Sequence, residues 1–499
     1  MARLFYLACL LGAVSAVDLS RFRIKRDGEG DVTAAVQDAV NTLLNKETPL
    51  LVWPRLTELT DLFGHRITGS ESLERALQYI ETVAKTDNLT VISEPVSVTY
   101  WKRGQESLSL VSQQNTRGGD LKLPVIGLGN TTTTPKEGFT APVVVVHNEE
   151  EFNATEVKDS IVLWNVPFTT YGETVRFRRR GRVLGELKGS KAMLIRSVTP
   201  FSLNTLHTGT SGGEGVPAAA VTIETAEFLD RMYTRWKNAA NSTSPYANEF
   251  KQPVVKLLLE NERQPKQSRN ILVEIKGREL PDEVVILGGH IDSWDVGAGA
   301  MDDGAGAFIG WEAVRLISKL PRPPKRTIRT VFWMDEEQGG SGSDAYLAAR
   351  KKDNTLSKHV FAIESDEGVF RPFGLSYKVT KNETGPLEKL QELSSKYLGQ
   401  RDGTEVISGG AAADIENLCD NGVPCAAWMS YDALKRNVRP DQPLEYNSYF
   451  YYHHTDADTP EALNRTDVEE SARVLAAWAY VIAEEGVGAV PQAQNQTQA

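Results

Sequence analysis

Cysteine is scarce in this sequence, with three residues in 499. Cys9 lies in an N-terminal apolar run that we expect to be removed, so the mature chain keeps Cys419 and Cys425 in one loop-like segment. We expect a disulfide between these two, because an oxidising compartment disfavours the alternative of two buried free thiols. One bridge is therefore the most that the mature chain can form.

Long hydrophobic runs are absent as well. The N-terminal apolar run from Leu4 to Val14 has only about half of the roughly 20 residues that a membrane-spanning helix needs. It follows a basic residue, Arg3, and ends in small residues at Val14-Ser-Ala16, a pattern typical of a signal peptide. We predict a signal peptide over residues 1–16 and a mature protein without a membrane anchor.

The chain has no excess of basic residues. Its formal net charge of -11 argues against a nucleic-acid partner, because phosphate binding needs a basic patch. Two Lys/Arg clusters, from Arg176 to Arg182 and from Arg322 to Arg329, are interpreted as solvated surface.

Asn-x-Ser/Thr sequons, in contrast, are frequent. They make chemical sense for a chain that enters the secretory route, and we expect secretion, lysosomal delivery or both. The seven sequons lie at Asn88, Asn130, Asn153, Asn241, Asn382, Asn464 and Asn495.

The length and patterning of the chain predict two domains. Within the first part, Thr68-Gly-Ser-Glu71 fits a capping box and predicts the start of a helix. From Asn270 onward strands and helices alternate, which implies an α/β fold with a mostly parallel, twisted sheet flanked by helices. Short apolar runs between turn residues indicate a mostly β insert with a structural or access-controlling role. The predicted bounds are 17–45 for a candidate pro-segment with Lys25-Arg26 as a cleavage point, 46–104 and 267–485 for the α/β domain, 105–266 for the insert and 486–499 for a flexible tail.

Histidine and carboxylate residues follow several predicted strands of the α/β domain. The carboxyl ends of parallel strands meet at one edge of a sheet, which is where such folds place their sites. One such residue alone would be read as a cap or a surface group, but five in step indicate a metal site. Two imidazoles and three carboxylates suit a centre of two zinc ions that share one carboxylate. The candidate ligands are His290, Asp302, Glu337, Asp366 and His454, and Glu336 adjoins them.

These motifs resemble those of the co-catalytic zinc peptidases, a family that includes bacterial leucyl aminopeptidases and glutamate carboxypeptidase. The resemblance covers nearly all of the mature chain. It rests on His290-Ile-Asp292, Asp302-Asp303-Gly-Ala-Gly306, Glu336-Glu337, Ser365-Asp366 and His454-Thr-Asp-Ala-Asp-Thr459.

The resemblance implies a role for each candidate ligand. Asp302 would bridge two zinc ions, with His290 and Asp366 completing one site and Glu337 and His454 the other. Glu336 would stay uncoordinated and act as the general base. The resemblance also implies a cis peptide bond between Asp302 and Asp303.

Three further residues are predicted to support the centre. Asp292 is expected to accept the free imidazole N–H of His290, and Asp458 that of His454, with an ordinary loop carboxylate as the alternative for each. His453 stands where one branch of the family has a tyrosine. Its imidazole would either donate a hydrogen bond to the oxyanion or pack beside the ligands.

The resemblance implies a zinc-dependent exopeptidase that acts on small peptides, which we expect to be dipeptides with free termini. It also implies that the insert is a protease-associated domain and that the chain forms a homodimer. The segment Gly409 to Asp414 would line the substrate pocket or form a flexible surface loop. An aminopeptidase on longer peptides, a receptor-like protein without activity and a single-zinc glutaminyl cyclase are the alternatives. Retention of all the ligand types and of Glu336 argues against the receptor.

Overall fold

Two long antiparallel strands form a ribbon that joins the two parts of the molecule. The computed structural model describes residues 32–111, 119–379, 384–411, 413–432 and 448–488. Strand β1 spans Thr90–Leu110 and pairs along most of its length with β8, Val254–Ile275. The predicted insert boundaries, 105 and 266, both lie inside this ribbon, so neither is a free linker.

The ribbon belongs to a sheet that is continuous through the described residues. The other strands are β2 Leu121–Leu123, β3 Ile126–Gly127, β4 Phe139–Val146, β5 Ile161–Trp164, β6 Ala192–Arg196, β7 Ala218–Val221, β9 Leu280–His290, β10 Arg326–Trp333, β11 His359–Glu364, β12 Arg371–Lys378, β13 Glu405–Gly409 and β14 Cys425–Tyr431. The order is β13-β12-β14-β11-β9-β10-β8-β4-β5-β6-β7-β3, with β1 beside β8 and β2 beside β1. Strands β10, β9, β11 and β14 run parallel, so their carboxyl ends share one edge.

Helices cover both faces of the sheet. They are α1 over 32–43, α2 Val52–Phe63, α3 Glu71–Thr86, α4 Glu149–Ala154, α5 Tyr171–Leu187, α6 Ile223–Lys237, α7 Ala305–Ser318, α8 Ser341–Lys352, α9 Gly385–Leu393, α10 Glu416–Asp420, α11 Tyr449–Tyr452 and α12 Arg465–Glu485. Helix α7 is apolar and buried nearly all round, as expected for a helix enclosed by other elements. It contacts β9, β10 and α12.

Strand β9 shows how the sequence selects this layered arrangement. Val285 and Leu287 point into the main core with α7 and α12, whereas Val284 and Ile286 point to the opposite face beside α8. Because both faces are covered, β9 is a continuous apolar run from Val284 to Gly289, without polar alternation.

The insert has its own hydrophobic core and also contains helices. Its parallel strands β4 to β7 pack against α5 and α6, and Trp164, Leu194 and Leu229 are fully buried there. The interpretation of this part as mostly β did not include these helices. Helices of mixed polarity, such as the Arg-rich α5, do not show a clean apolar stripe in the sequence.

Helix α1 belongs to the main core. Val36, Val40 and Leu43 are buried against it, and the Gln37 amide donates to the Tyr397 carbonyl at 3.1 Å. Removal of the whole candidate pro-segment, 17–45, would therefore expose this core. The predicted signal peptide and the Lys25-Arg26 cleavage point lie outside the described residues.

Three local predictions were wrong. The cap of α3 is Ser70, whose hydroxyl accepts from the Leu73 N–H at 3.1 Å, and not Thr68, which contacts Asp292 instead. The basic cluster on α5 is not simply solvated, because Arg178 and Arg182 are buried. In the second cluster, Arg329 is buried in an ion pair with Glu274 at 2.6 Å.

The predicted disulfide is present. Cys419 and Cys425 are bonded, with Cα atoms 5.6 Å apart, near the end of α10 and at the start of β14. Among the sequons, Asn130 is half-buried and its amide donates to the Gln338 carbonyl at 3.4 Å, which makes it poorly suited to a glycan. The asparagines at 88, 153, 241 and 464 are exposed, and those at 382 and 495 lie outside the described residues.

No helix in the described part of the chain is long and apolar enough to cross a membrane. The longest helix, α12, carries Glu and Arg side chains within its otherwise buried length.

Buried His359 makes the stability of the fold depend on pH. Burial and the nearby Arg329 guanidinium lower the pKa of His359 to about 4. In an unfolded chain a histidine has a pKa of about 6.5, so the unfolded state binds the extra proton between these values. The stability that neutral His359 contributes is fully present above a pH of about 6.5. It is lost as the pH falls from there to about 4, by up to ~1.4 kcal/mol per pH unit.

We expect His359→Gln to flatten the decline in the free energy of unfolding as the pH falls from about 6.5 to about 4. Urea denaturation across this range measures the decline. His65→Gln is the matched control, because His65 is exposed. An equally steep decline in wild type and His359→Gln would contradict the assignment.

Candidate metal centre

The candidate ligands converge at the carboxyl edge of the parallel strands. His290 is the last residue of β9, Glu337 follows β10, and Asp366 follows β11. Because these strands are parallel neighbours, their ends bring the three side chains to one place. Asp302 enters from the loop before α7, and His454 from the turn after α11.

Asp302 lies between two pairs of candidate ligands. Its Oδ1 is 3.1 Å from Nε2 of His290, and that nitrogen is 3.2 Å from Oδ1 of Asp366. On the other side, Oδ2 of Asp302 is 3.3 Å from Nε2 of His454, which is 2.9 Å from Oε2 of Glu337. The structure thus brings together all five residues in the grouping that the resemblance implies.

The donor set fits a zinc site. Three sets of side chains have donor atoms within 4.8 Å of one another: His290, Asp302 and Glu337; His290, Asp303 and Asp366; and Asp302, His453 and His454. Oε1 of Glu337 is buried and has no hydrogen-bond partner in the described residues, an arrangement that is costly unless a cation satisfies it. Mixed imidazole and carboxylate donors are typical of zinc.

The centre contains more buried carboxylates than its own cations can neutralise. Burial and the neighbouring Asp366 raise the pKa of Glu336 to about 8, and burial together with Asp302 raises that of Glu337 well above its usual range. Burial opposes the charging of His290, but Asp366 and Asp302 raise its pKa well above 6.5. Bound divalent cations reverse this logic, because they favour the ionised carboxylates and the neutral imidazole.

Asp292 supports the centre differently from the prediction. Nδ1 of His290 donates to the Asp292 main-chain carbonyl at 2.9 Å, whereas the nearer carboxylate oxygen is 3.8 Å away. The carboxylate instead accepts the backbone N–H groups of Glu336 at 3.2 Å and Glu337 at 3.3 Å, and the Thr68 hydroxyl at 2.9 Å. Asp292 therefore positions the segment that carries the predicted base.

Asp458 also has a role other than the predicted one. Its carboxylate accepts the backbone N–H groups of Met301 at 2.6 Å and of Asp302 at 3.2 Å. It therefore fixes the loop that presents Asp302 and does not accept a hydrogen bond from His454. The carbonyl of Thr208, in the insert, faces Nδ1 of His454 at 3.3 Å.

The peptide bond between Asp302 and Asp303 is cis, as the resemblance implied. The Asp303 carboxylate lies in a cradle between Gly289 and Gly306. A Cβ atom at either glycine would fall within 2.4 Å of a carboxylate oxygen of Asp303. The glycines of these two motifs therefore make room for a second acidic side chain beside the ligands.

His453 lies against the ligand His454. Their rings stack with centroids 3.4 Å apart, and Nε2 of His453 is 3.7 Å from Oδ2 of Asp302. Burial lowers the pKa of His453 to about 4, although Asp302 opposes the shift. His453 is therefore a neutral imidazole that faces the centre.

Sequence reasoning missed two side chains that contact the centre. The Tyr449 hydroxyl donates to the Asp302 carboxylate, from one helical turn before His453. Buried Arg66 donates to the carbonyls of Ile291, Ala298 and Gly299 and so shapes the loop between His290 and Asp302. The tyrosine could have been found from its i, i+4 spacing to His453, whereas nothing in the sequence marks Arg66.

The segment from Gly409 to Asp414 is partly exposed and ends in a buried carboxylate. Asp414 is 1% exposed, and it adjoins Glu364, whose Oε2 accepts the Ile415 N–H at 2.9 Å. The glycines are exposed, and residue 412 lies outside the described residues. The acidic end of this segment is thus anchored beside β11 and is not a free surface loop.

Comparisons with known proteins agree with this geometry. Residues 270–479 match the model of peptidase family M28. The chain is 35% identical to carboxypeptidase Q of Homo sapiens over 463 residues, which cover 91% of this chain and 89% of that protein. The chain is a carboxypeptidase Q-like member of peptidase family M28. Carboxypeptidase Q of Xenopus laevis is 36% identical over 440 residues, 87% of this chain and 86% of that protein.

Solved structures extend the M28 comparison to the insert. A peptidase M28 precursor from Shewanella amazonensis SB2B matches with a TM-score of 0.76 and 28% identity, covering 93% of this chain and 99% of that one. A zinc aminopeptidase from Bacillus subtilis shares the fold, with a TM-score of 0.65 and 18% identity over 89% of this chain and 98% of that one. The predicted α/β fold is confirmed, and the chain is a metallopeptidase of the zinc exopeptidase type.

We expect Asp292→Asn to weaken zinc binding by about 10- to 100-fold, because one acceptor oxygen becomes an NH2 group that faces a backbone N–H. Competition with a chelating dye measures this change. Asp282→Asn, an exposed substitution near the start of β9, is the control and should bind zinc as wild type does. Equal zinc affinity in the two variants would show that Asp292 does not support the centre.

Proposed function

We propose that this chain is a two-zinc exopeptidase that hydrolyses small peptides, above all dipeptides with free termini, with Glu336 as the general base. The placement of Glu336 carries the proposal. Its backbone N–H is held by Asp292 beside the ligand Glu337, while its own carboxylate makes no hydrogen bond or ion pair with the described residues. A carboxylate that is fixed but unengaged is available for proton transfer.

Five side chains would hold the two zinc ions. Asp302 would contribute one oxygen to each ion, His290 and Asp366 would complete one site, and Glu337 and His454 the other. The support is the distances of 2.9 to 3.3 Å between donor atoms on each side of Asp302.

When bound, zinc lowers the pKa of a water and of nearby carboxyl groups and polarises the scissile carbonyl. Glu336 then accepts a proton from the attacking water while the water oxygen bonds to the carbonyl carbon. The same carboxyl group delivers that proton to the leaving amine nitrogen as the C–N bond breaks. Asp292 keeps Glu336 in position throughout, because it holds the backbone on both sides of the base.

We assign the stabilisation of the oxyanion to His453. Its neutral ring faces the centre and can donate Nε2–H to a developing negative charge, whereas the Tyr449 hydroxyl is already engaged by Asp302. Stacking on His454 fixes the ring, so the donor is oriented before the reaction begins.

The choice of a carboxypeptidase-type exopeptidase is supported by similarity to carboxypeptidase Q over about nine-tenths of the chain. We also propose that the chain enters the secretory route, for secretion or lysosomal delivery, and acts as a homodimer. The exposed sequons Asn88, Asn153 and Asn241 are compatible with that route.

We expect Glu336→Gln to retain the wild-type zinc content, about two ions per chain, and to lose about 10²- to 10⁴-fold in kcat. Elemental analysis and hydrolysis of free and end-blocked dipeptides measure both properties. Glu337→Gln is the matched control: the neighbouring isosteric change should reduce the zinc content.

The same panel tests the substrate. Cleavage that requires both free termini supports the dipeptide assignment, whereas a preference for longer peptides with a free amino terminus would replace it with aminopeptidase action. Hydrolysis by Glu336→Gln at the wild-type rate would refute the assignment of the base.

His453→Phe retains the stacked ring but removes the hydrogen-bond donor. We expect kcat to fall by about 10²- to 10³-fold with zinc content and KM unchanged. Tyr449→Phe is the comparison, because it removes a hydrogen bond to Asp302 and should weaken zinc binding instead. Steady-state kinetics and zinc analysis of both variants would contradict this division of roles if the two effects were exchanged.

A further inference from the structure

A segment of the insert forms hydrogen bonds with the turn that carries His454. We call this segment, residues 205–211, the strap. The Thr208 N–H donates to the His454 carbonyl at 3.1 Å, and Nδ1 of His454 faces the Thr208 carbonyl at 3.3 Å. One residue earlier, Nδ1 of His207 donates to the His453 carbonyl at 2.9 Å.

The strap selects one tautomer of His454. A carbonyl can only accept, so Nδ1 of His454 must carry the hydrogen, which leaves the lone pair on Nε2 directed at Asp302 and Glu337. The backbone of His454 has a φ of 63°, a left-handed conformation that is unfavourable for this residue type and that the paired strap holds in place.

Arg178 in turn fixes the strap. Its guanidinium donates to the carbonyls of Thr208 and Thr210, both at 3.2 Å, and to the Tyr171 hydroxyl at 3.0 Å. The side chain is 2% exposed and forms no ion pair with the described residues. A buried cation held only by neutral oxygens fixes the carbonyls among them, because any loosened donor would be left unpaired.

Gly209 permits this close contact. A Cβ atom at position 209 would fall 2.3 Å from the guanidinium carbon of Arg178, and φ there is +128°. The guanidinium therefore lies directly on the strap backbone. A residue with a side chain at position 209 would not leave room for Arg178.

We propose that the insert is a structural part of one zinc site: the Thr208 carbonyl, positioned by Arg178, orients His454 for metal binding. The inference rests on the proposed two-zinc function. It assigns Arg178 and Thr208 as positioning residues and gives the insert a role beyond covering the cleft.

The arrangement is asymmetric between the two sites. His290 donates Nδ1–H to the Asp292 carbonyl, which belongs to the α/β core itself. Only His454 depends on the insert for its outer hydrogen bond. Disturbing the strap should therefore weaken the binding of one zinc ion and leave the binding of the other unchanged.

The test compares two buried arginines of helix α5. Arg178→Gln removes the guanidinium that holds the Thr208 carbonyl. Arg182→Gln is the matched control, because Arg182 is equally buried and holds the Asn130 and Gly215 carbonyls. It contacts the strap only at its far end, through the Ser211 hydroxyl at 2.7 Å, and does not contact Thr208. Stepwise zinc constants are measured in the full chain by chelator competition, and the protonated ring nitrogens by NMR of 15N-histidine-labelled protein.

We expect Arg178→Gln to weaken one zinc constant by about 10- to 100-fold, to leave the other within about twofold, and to give a mixed tautomer at His454. Arg182→Gln should match wild type in all three. Arg178→Lys keeps the positive charge and one donor nitrogen, so it should recover part of the lost zinc affinity.

A general folding defect would lower both zinc constants together, and that result, or unchanged constants and tautomer, would overturn the inference. The proposed function is tested separately by wild type. If wild type binds only one zinc, the two-zinc proposal fails, while the His454 tautomer in Arg178→Gln still decides the role of the strap.

Discussion

Repulsion between buried carboxylates is the constraint on which the site depends. Asp302, Asp303 and Glu337 are at most 6% exposed, and Asp366 and Glu336 adjoin them. Without cations, protonation relieves part of the repulsion, because burial and neighbouring carboxylates raise the pKa of Asp303, Glu336, Glu337 and Asp366. A scaffold that keeps so many acids together in a buried place is stable only with compensating positive charge, and divalent metal ions supply more of it than the single imidazolium of His290 can.

The scaffold is built in layers around that charge. Three parallel strands bring His290, Glu337 and Asp366 to one edge, and apolar packing on both faces fixes the strands. Backbone hydrogen bonds to the carboxylates of Asp292 and Asp458 then fix the loops that carry Glu336 and Asp302. The insert adds the last constraint through Thr208, so the ribbon of β1 and β8 connects two parts that share one site.

The strand-end rule and the motif resemblance selected, from the sequence, the candidate ligands that the structure brings together, because each lies within a few residues of an apolar run. The partners of those ligands were predicted less well. The sequence shows that Asp292 is near His290, but it does not show whether the carboxylate or the carbonyl receives the imidazole. Thr208 and His454 are separated by 246 positions, and their contact is made through the main chain, which leaves no trace in residue type.

The errors in the fold have similar causes. Arg178 and Arg182 have the composition of a solvated cluster, yet they are buried because carbonyls of the insert satisfy their donors. The start of α3 moved from Thr68 to Ser70, since both residues fit a cap and Asp292 competes for Thr68. Local propensity could not resolve either case, because tertiary partners decided both.

The most direct test of this account is calorimetric titration of zinc into metal-free protein at neutral pH, repeated in buffers with different enthalpies of ionisation. If the acids are protonated without metal and ionised with it, zinc binding will saturate at two ions per chain with net release of protons. Saturation below one ion per chain, or binding without proton release, would contradict the claim that metal charge stabilises this cluster of carboxylates.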